Sequence, residues 1–280
     1  MGASSRKREA ALWARLLFNG WRRVSARGRD LFLSLLHVGF VAELVVVIPT
    51  LNAEAGVRSL LKQLGTEAAR VVVADGGSED GTLRVAVRAG AVVAAGSAGR
   101  GQQLRRGVDW ALRGMADTAW VLVLHADTVL PEGWREGVRE FMESGNGRES
   151  GNGRAAHFGY APTRGLGRRD ALTLWAFVRL REVAWGLPYG DQGLLISARL
   201  YREVGGYHAM ALFEDVDLVT RIRRASGRLV RLPMSVDTDA AAYARNGVWR
   251  RGWRNLRLLR AYRHGTPVEE LLERYRSDGE

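Results

Sequence analysis

Trp120-Val-Leu-Val-Leu124-His125-Ala-Asp127-Thr-Val-Leu-Pro131 decides how this chain is read. An unbroken apolar run led by tryptophan and rich in valine and leucine marks a strand buried on both faces, and it stops where His125 and Asp127 begin. In open α/β sheets ligands bind outside the carboxyl ends of the strands. Asp127 is thereby placed where a metal ion or a phosphate-bearing substrate would sit. The plainer reading, a turn residue ahead of Pro131, has equal weight for this stretch alone. The chain on either side tips the balance.

Upstream, strand and helix patterns alternate. Leu44 to Ile48 reads as a strand, and Val57, Leu60, Leu61 and Leu64 form an i, i+3, i+4, i+7 helical stripe with Asn52 as its expected cap. A second strand, Arg70 to Ala74, leads to a helix around Leu83 and Val87 that stops at Gly90. A third, Ala91 to Ala95, leads to a helix carrying Leu104, Val108, Ala111 and Leu112, which stops at Gly114. With Trp120 to Leu124 as the fourth strand, the pattern predicts a parallel sheet covered by helices on both faces.

Downstream, residues 143–154 repeat Glu-Ser-Gly-Asn-Gly-Arg twice. A hexapeptide without an apolar face is read as a flexible surface loop, dividing a first half at 44–142 from a second at 155–246. The second half opens with a strand near His157 to Tyr160, then a helix with Leu172, Trp175, Ala176 and Phe177, then a strand at Leu194 to Ser197. Glu214-Asp215-Val-Asp217 begins another helix, on which Leu218, Ile222 and Ala225 share a face before Gly227.

Composition narrows the function classes. The 280 residues are 46% hydrophobic and 26% charged, enough for a sizeable core in one large or two small domains. The absence of cysteine removes disulfides, thiolate nucleophiles and cysteine zinc sites, so any metal must use carboxylates or histidine. The net charge is +12, and of 42 basic residues only Lys7 and Lys62 are lysines. Such a surface attracts anionic lipid, nucleic acid or phosphorylated substrates. No zinc-finger spacing, RNP signature or helix-turn-helix is present, so no specific nucleic acid partner is expected.

Residues 1–43 form a basic extension, with Arg6, Lys7, Arg8, Arg15, Arg22, Arg23, Arg27 and Arg29 ahead of an apolar run from Leu31 to Ala42. No small-x-small cleavage site follows, which argues against an export signal. Ser34, His37, Gly39 and Glu43 interrupt a stretch barely near the roughly 20 residues a membrane span requires. The expectation is a cytoplasmic protein in which this segment is either a peripheral amphipathic contact to the inner face of a membrane or a non-native upstream extension.

Each early strand ends in polar or turn residues. Pro49-Thr50-Leu51-Asn52-Ala53-Glu54 follows the first, Asp75-Gly-Gly-Ser-Glu-Asp-Gly-Thr82 the second, and Gly96-Ser-Ala-Gly-Arg100-Gly-Gln-Gln103 the third. Converging on one sheet edge, they supply acids for a base or ribose, glycines for close approach, and Arg100 with helix-start amides for a diphosphate. Judged alone, Asp75 suits a turn equally well. Gly96 to Gly101 has Walker A spacing, but Gln102-Gln103 stands where Lys-Ser/Thr is required. The dinucleotide fingerprint fails too, for lack of a third glycine and because the loop follows the third strand.

In order and spacing, Pro49 to Glu54, Asp75 to Thr82, the acidic strand end at Asp127, Gly190-Asp-Gln192 and Glu214-Asp215 resemble family 2 glycosyltransferases of the GT-A fold. The bacterial branch whose DXD-like motif reads His-Ala-Asp-Thr is the most similar, over about residues 44 to 265. The resemblance implies an α/β, Rossmann-like, mostly parallel sheet with helices on both faces and a smaller acceptor-side half. It implies transfer of a sugar from a nucleotide-diphosphate donor to a hydroxyl acceptor, metal-assisted and inverting. Pro49, Thr50, Asn52, Glu54 and Asp75 match nucleoside-binding positions, while Arg100 and Gln103 lie in the loop facing the diphosphate. Asp127 matches the last acid of the motif that binds Mg²⁺ or Mn²⁺. His125 stands at the motif's first acid and is a second candidate ligand. Asp215 matches the general base and Glu214 its helper, with Asp191 and Gln192 lining the acceptor side.

One departure lies near the end. Where the related branch carries adjacent arginines before an aromatic, this chain reads Asp239-Ala-Ala-Ala242-Tyr243, with Arg245 the nearest replacement. The last helix, about Gly247 to His264, begins the basic C-terminal segment 247–280 and aligns Trp249, Trp253, Leu256 and Leu259 opposite most of Arg250, Arg251, Arg254 and Arg257. That suits an interfacial helix on anionic lipid, and equally a helix packed on its own core with a solvated basic face. A lipid-linked acceptor fits either. Two rivals stay open: a degenerate relative that binds nucleotide sugar without turnover, and a basic protein that binds membranes or nucleic acid.

Overall fold

The computed structural model describes residues 43–65, 70–144, 154–162, 165–188, 190–226, 229–238, 243 and 247–277. Strands β1 (Leu44–Thr50), β2 (Arg70–Asp75), β3 (Val92–Val93) and β4 (Trp120–Val123) run parallel, with β1 between β2 and β4. Val45 to Ile48, Val121 and Leu122 have no solvent exposure, as two-sided burial requires. Helices α1 (Glu54–Leu64), α2 (Thr82–Arg88) and α3 (Arg100–Ala111) follow β1, β2 and β3. Alternate strand side chains serve opposite layers. Val46, Ile48 and Leu122 pack with Val57, Leu60 and Leu64 of α1, whereas Val45, Val47 and Val121 pack with Leu104, Val108 and Ala111 of α3. Gly107 lets α3 lie close on the sheet, since a Cβ there would stand 2.7 Å from Ala74 and 2.8 Å from Val47.

The sheet is completed by β5 (Ala155–Tyr160), β6 (Leu194–Ser197) and β7 (Val230–Val236), in the order β3-β2-β1-β4-β6-β5-β7. The strictly parallel alternation expected from the first half does not continue. β6 runs antiparallel to both β4 and β5, while β7 is parallel to β5. Because β6 is reversed, Leu194 at its start pairs with Val123 at the end of β4. The 3₁₀ turn Gly190–Gln192 is thus delivered to the edge where His125 and Asp127 emerge.

α4 (Trp134–Glu143) buries Trp134, Val138 and Phe141, and Phe141 meets Trp120 edge-on at 5.7 Å. α5 (Arg168–Trp185) differs from its sequence expectation, for it turns Leu174 and Val178 inward and leaves Leu172 and Trp175 exposed. α6 (Ala198–Glu203) precedes α7 (Glu214–Ser226), which buries Leu218 and Ile222 but exposes Ala225. α8 (Val248–Arg263) and α9 (Val268–Ser277) close the described chain. On α8 the expected solvated basic face is partly reversed: Arg254 is buried, its guanidinium 4.8 Å over the Tyr275 ring, while Trp249 and Trp253 are exposed. Residues 1–42, the centre of the hexapeptide repeat, Ala241, Ala242 and Arg245 lie outside the described residues. Among the described residues no helix is long and apolar enough to cross a membrane.

Candidate active site

The carboxyl ends of β1 and β2 meet at Thr50 and Asp75, partners in register, with Pro49 beside Ala74 one step earlier. Asp75 is fully buried. Thr50 Oγ1 and Ser78 Oγ donate to its Oδ1 at 2.8 and 2.6 Å, and the amides of Gly77 and Ser78 each donate to Oδ2 at 2.8 Å. Burial opposes ionisation, yet these hydrogen bonds from Ser78, Thr50 and Gly77 hold the carboxyl below its ordinary 3.8. Asp75 therefore ties down the loop that follows it. Asp75→Asn puts an NH₂ donor against this ring of donors and is expected to cost about 2–4 kcal/mol of unfolding free energy near neutral pH. A folded-state value below the unfolded one gives stability that is present above the unfolded value and lost as pH falls through the folded value. The wild-type advantage in urea unfolding should thus shrink in acid, and a difference under about 1 kcal/mol at neutral pH would refute the anchoring role.

The β1 and β2 loops interlock. Asn52 Oδ1 accepts from the Glu79 amide at 2.9 Å, and the Asn52 amide donates to Ser78 Oγ at 2.8 Å. Glu54 Oε2 accepts from the Gly81 amide at 3.0 Å, and Asp80 Oδ2 accepts from the Glu54 amide at 3.1 Å. Asn52 does not cap α1, as expected from sequence; it adopts φ 48°, a left-handed conformation that asparagine tolerates, and Asp80 serves the first turn from across the loop.

Gln103 also departs from expectation. It is buried, and its Nε2 donates to the carbonyls of Thr50 at 2.7 Å and Ala74 at 3.0 Å, so it binds the two strand ends together instead of facing a diphosphate. Arg100, at the start of α3, reaches across the sequence. Its Nη1 donates to Glu214 Oε1 at 2.8 Å and lies 3.8 Å from Asp215 Oδ2. Burial disfavours its charge, but Glu214 and Asp215 outweigh that and raise the guanidinium above its ordinary value. Gly190 leaves room for it, since a Cβ there would stand 2.1 Å from Arg100 Nη2 and push the guanidinium aside.

Glu214 and Asp215 open α7 immediately after Phe213, whose φ of 64° is strained for a bulky residue. Its ring stacks on Tyr262 at 4.9 Å, which holds that conformation. Burial pushes the Glu214 carboxyl up, Asp215 adds to the rise and Arg100 opposes it. Asp215 Oδ2 accepts from the Gly190 amide and Oδ1 from the Val216 amide, both at 2.7 Å. Asp191 Oδ1 is buried with no hydrogen-bond partner. Burial raises its carboxyl, with Arg181 opposing and Asp215 reinforcing the shift. Its neighbour Gln192 is not on the acceptor side. It is fully buried, accepting from Arg181 Nη2 at 2.9 Å and donating to the Phe158 carbonyl at 3.2 Å.

His125, Asp127, Arg100, Asp191, Glu214 and Asp215 line a cleft of about 330 Å³ at the carboxyl end of β4. Tyr160, Thr238, Tyr243, Arg251 and Asn255 line it as well. Sequence reading missed this second group. Tyr160 and Thr238 obey the strand-end rule, at the end of β5 and just beyond β7, but β7 itself was not foreseen. Arg251 and Asn255 are one turn apart on α8, a spacing that could have marked a shared face. His125 Nδ1 is hydrogen-bonded to Asp127 Oδ1, and both side chains are partly exposed to the cleft. Among the described residues no three histidine or acidic side chains form a ready-made metal cage. One carboxylate with an imidazole beside it fits an ion whose remaining ligands arrive with a phosphate-bearing substrate.

The architecture is similar to solved structures. Glucosyl-3-phosphoglycerate synthase from Mycobacterium tuberculosis, in complex with Mn²⁺, UDP-glucose and phosphoglyceric acid, superposes with a TM-score of 0.53 at 19% identity over 83% of each chain. Residues 1–349 of TarS from S. aureus superpose with a TM-score of 0.51 at 16% identity over 75% of this chain and 64% of that one. At such identities the likeness establishes the fold. No curated protein sequence matches the chain. Residues 45–189, just over half of the 280, match the family described as Glycosyl transferase family 2, and the chain belongs to that family as a glycosyltransferase of the GT-A fold.

Proposed function

We propose that the protein transfers a sugar from a nucleotide-diphosphate donor to a hydroxyl acceptor by a single, inverting displacement. The observation that carries this reading is the meeting of Asp127, Asp191 and Asp215, from three separate segments, in one cleft. Thr50, Asn52, Glu54 and Asp75 shape the rigid paired loop that receives the nucleoside. Arg100 is already paired with Glu214, so it does not neutralise the diphosphate; it positions the acidic pair. Asp127 holds a divalent cation, with His125 orienting its carboxylate. When bound, Mg²⁺ or Mn²⁺ offsets the charge that grows on the departing nucleoside diphosphate. Asp215, fixed by the Gly190 amide, takes the proton of the acceptor hydroxyl as that oxygen attacks the anomeric carbon. Asp191, Tyr243 and Asn255 border the acceptor.

The synthase described above was solved with UDP-glucose and Mn²⁺, which makes UDP-sugars the first donors to try. Calorimetric titration with UDP-, GDP- and dTDP-sugars, with and without Mn²⁺, tests the donor site. One donor class is expected to bind with metal assistance, and Asp127→Ala to weaken that binding by about 10- to 100-fold. Absence of binding by every donor, or equal binding by the variant, would refute the assignment.

A further inference from the structure

The outer surface of α5 and α8 takes no part in the cleft. α5 turns Leu174 and Val178 inward, while its outer face leaves Leu172, Trp175, Leu180 and Val183 66, 43, 58 and 75% exposed. Large apolar side chains clustered on an outer face mark an interaction surface. α8 adds Trp249 and Trp253, one turn apart and 60 and 57% exposed. Both indoles meet Phe177 of α5 edge-on, at 5.2 and 6.3 Å, so the two helices present one continuous apolar surface. Gly252 permits this approach, because a Cβ there would already touch the Phe177 ring at 3.2 Å. Beyond Trp253 the surface opens into a groove of about 550 Å³ walled by Trp185, Leu256 and Leu259 and rimmed by Arg257, Arg260 and Arg263.

The charge around the groove has one sign, with Arg257, Arg260 and Arg263 among its lining and no acidic residue. α8 carries six arginines and no acidic residue. Arg250, Arg257, Arg260 and Arg263 have no ion-pair partner among the described residues. We propose that this face docks on an anionic lipid bilayer, with Trp249, Trp253, Leu172, Leu180 and Val183 entering the interface and the arginines meeting lipid phosphates. Indoles settle at the headgroup level, and each arginine near an anionic surface adds to the attraction. Charge disfavours the other occupants. A second copy of this face would oppose arginine rims, and segment 1–42 holds eight basic residues against the acids Glu9 and Asp30. The same α8 turns Arg251 and Asn255 into the cleft, so docking would hold the cleft close to the bilayer.

Flotation of the purified full chain with phosphatidylcholine vesicles, with and without phosphatidylglycerol, tests the proposal. Binding is expected only to the anionic vesicles. It should weaken by about tenfold or more in a Trp249→Ser/Trp253→Ser variant, and in Arg257→Glu/Arg260→Glu. Far-UV circular dichroism and donor titration on the same preparations, expected unchanged, separate lost docking from lost fold and from failure of the donor site. No binding to anionic vesicles overturns the proposal. So does binding that survives both double variants, or a concentration-dependent dimer that the tryptophan variant dissociates.

Discussion

Asp215→Asn is expected to slow turnover by about a thousandfold, roughly 4 kcal/mol of barrier, while leaving donor affinity within about twofold of wild type. The amides of Gly190 and Val216 each donate to Asp215 at 2.7 Å, which presets the carboxylate before any substrate arrives. Asparagine keeps the shape and one acceptor oxygen but sets its NH₂ against either the Gly190 or the Val216 amide, so circular dichroism and donor titration on the same preparation check that the loop and α7 survive. What it cannot do is take a proton from the acceptor hydroxyl. Release of nucleoside diphosphate from the donor, with water as acceptor if need be, measures the loss. Asp191→Asn belongs beside it, because Asp191 Oδ1 has no hydrogen-bond partner and faces the same cleft. Turnover that survives Asp215→Asn and collapses with Asp191→Asn would move the base to Asp191.

Arg100→Ala is expected to cost about 3–5 kcal/mol of stability, since it strands a buried carboxylate. Glu214 is nearly inaccessible, and Arg100 is its ion-pair partner at 2.8 Å. The penalty should depend on pH with a definite sign. Burial and Asp215 already raise the Glu214 carboxyl, and removing the opposing guanidinium raises it further. A carboxyl whose folded value lies above its unfolded value costs stability above the unfolded value, and that cost disappears as pH falls below it. The variant should therefore approach wild type in mildly acidic solution. Adding Glu214→Gln should recover most of the loss at neutral pH. Urea unfolding that places Arg100→Ala within about 1 kcal/mol of wild type would show that the pair carries little.

Where both faces of a strand are buried, sequence is explicit. Val45 to Ile48 and Val121 to Leu124 must be continuously apolar, and the residues that end those runs fall on the functional edge. β7 was hidden because it is the last strand of the sheet, where Arg231, Pro233 and Ser235 are tolerated. The acids of the cleft were legible, because Asp127, Asp191, Glu214 and Asp215 sit at strand ends or helix starts. Gln103 and Gln192 were not, since an amide serves a buried carbonyl as readily as a ligand and spacing alone does not separate the two. Arg251 and Asn255 depended on how α8 rolls against the rest of the fold. With six arginines spread around that helix, composition leaves its inward face undetermined.

The reversed strand β6 also sets an order of events during synthesis. β4 is complete once residue 123 has left the ribosome, but the strand that pairs with its free edge begins only at Leu194. Through the intervening stretch the nascent chain carries an open, wholly apolar strand edge, the feature that favours association between unfinished chains. Insertion of β6 closes that edge and, in the same step, brings Asp191 into the cleft that Asp127 lines. Closure of the β4 edge and delivery of Asp191 to the cleft are thus one folding event, and a chain released before Leu194 would leave that edge open.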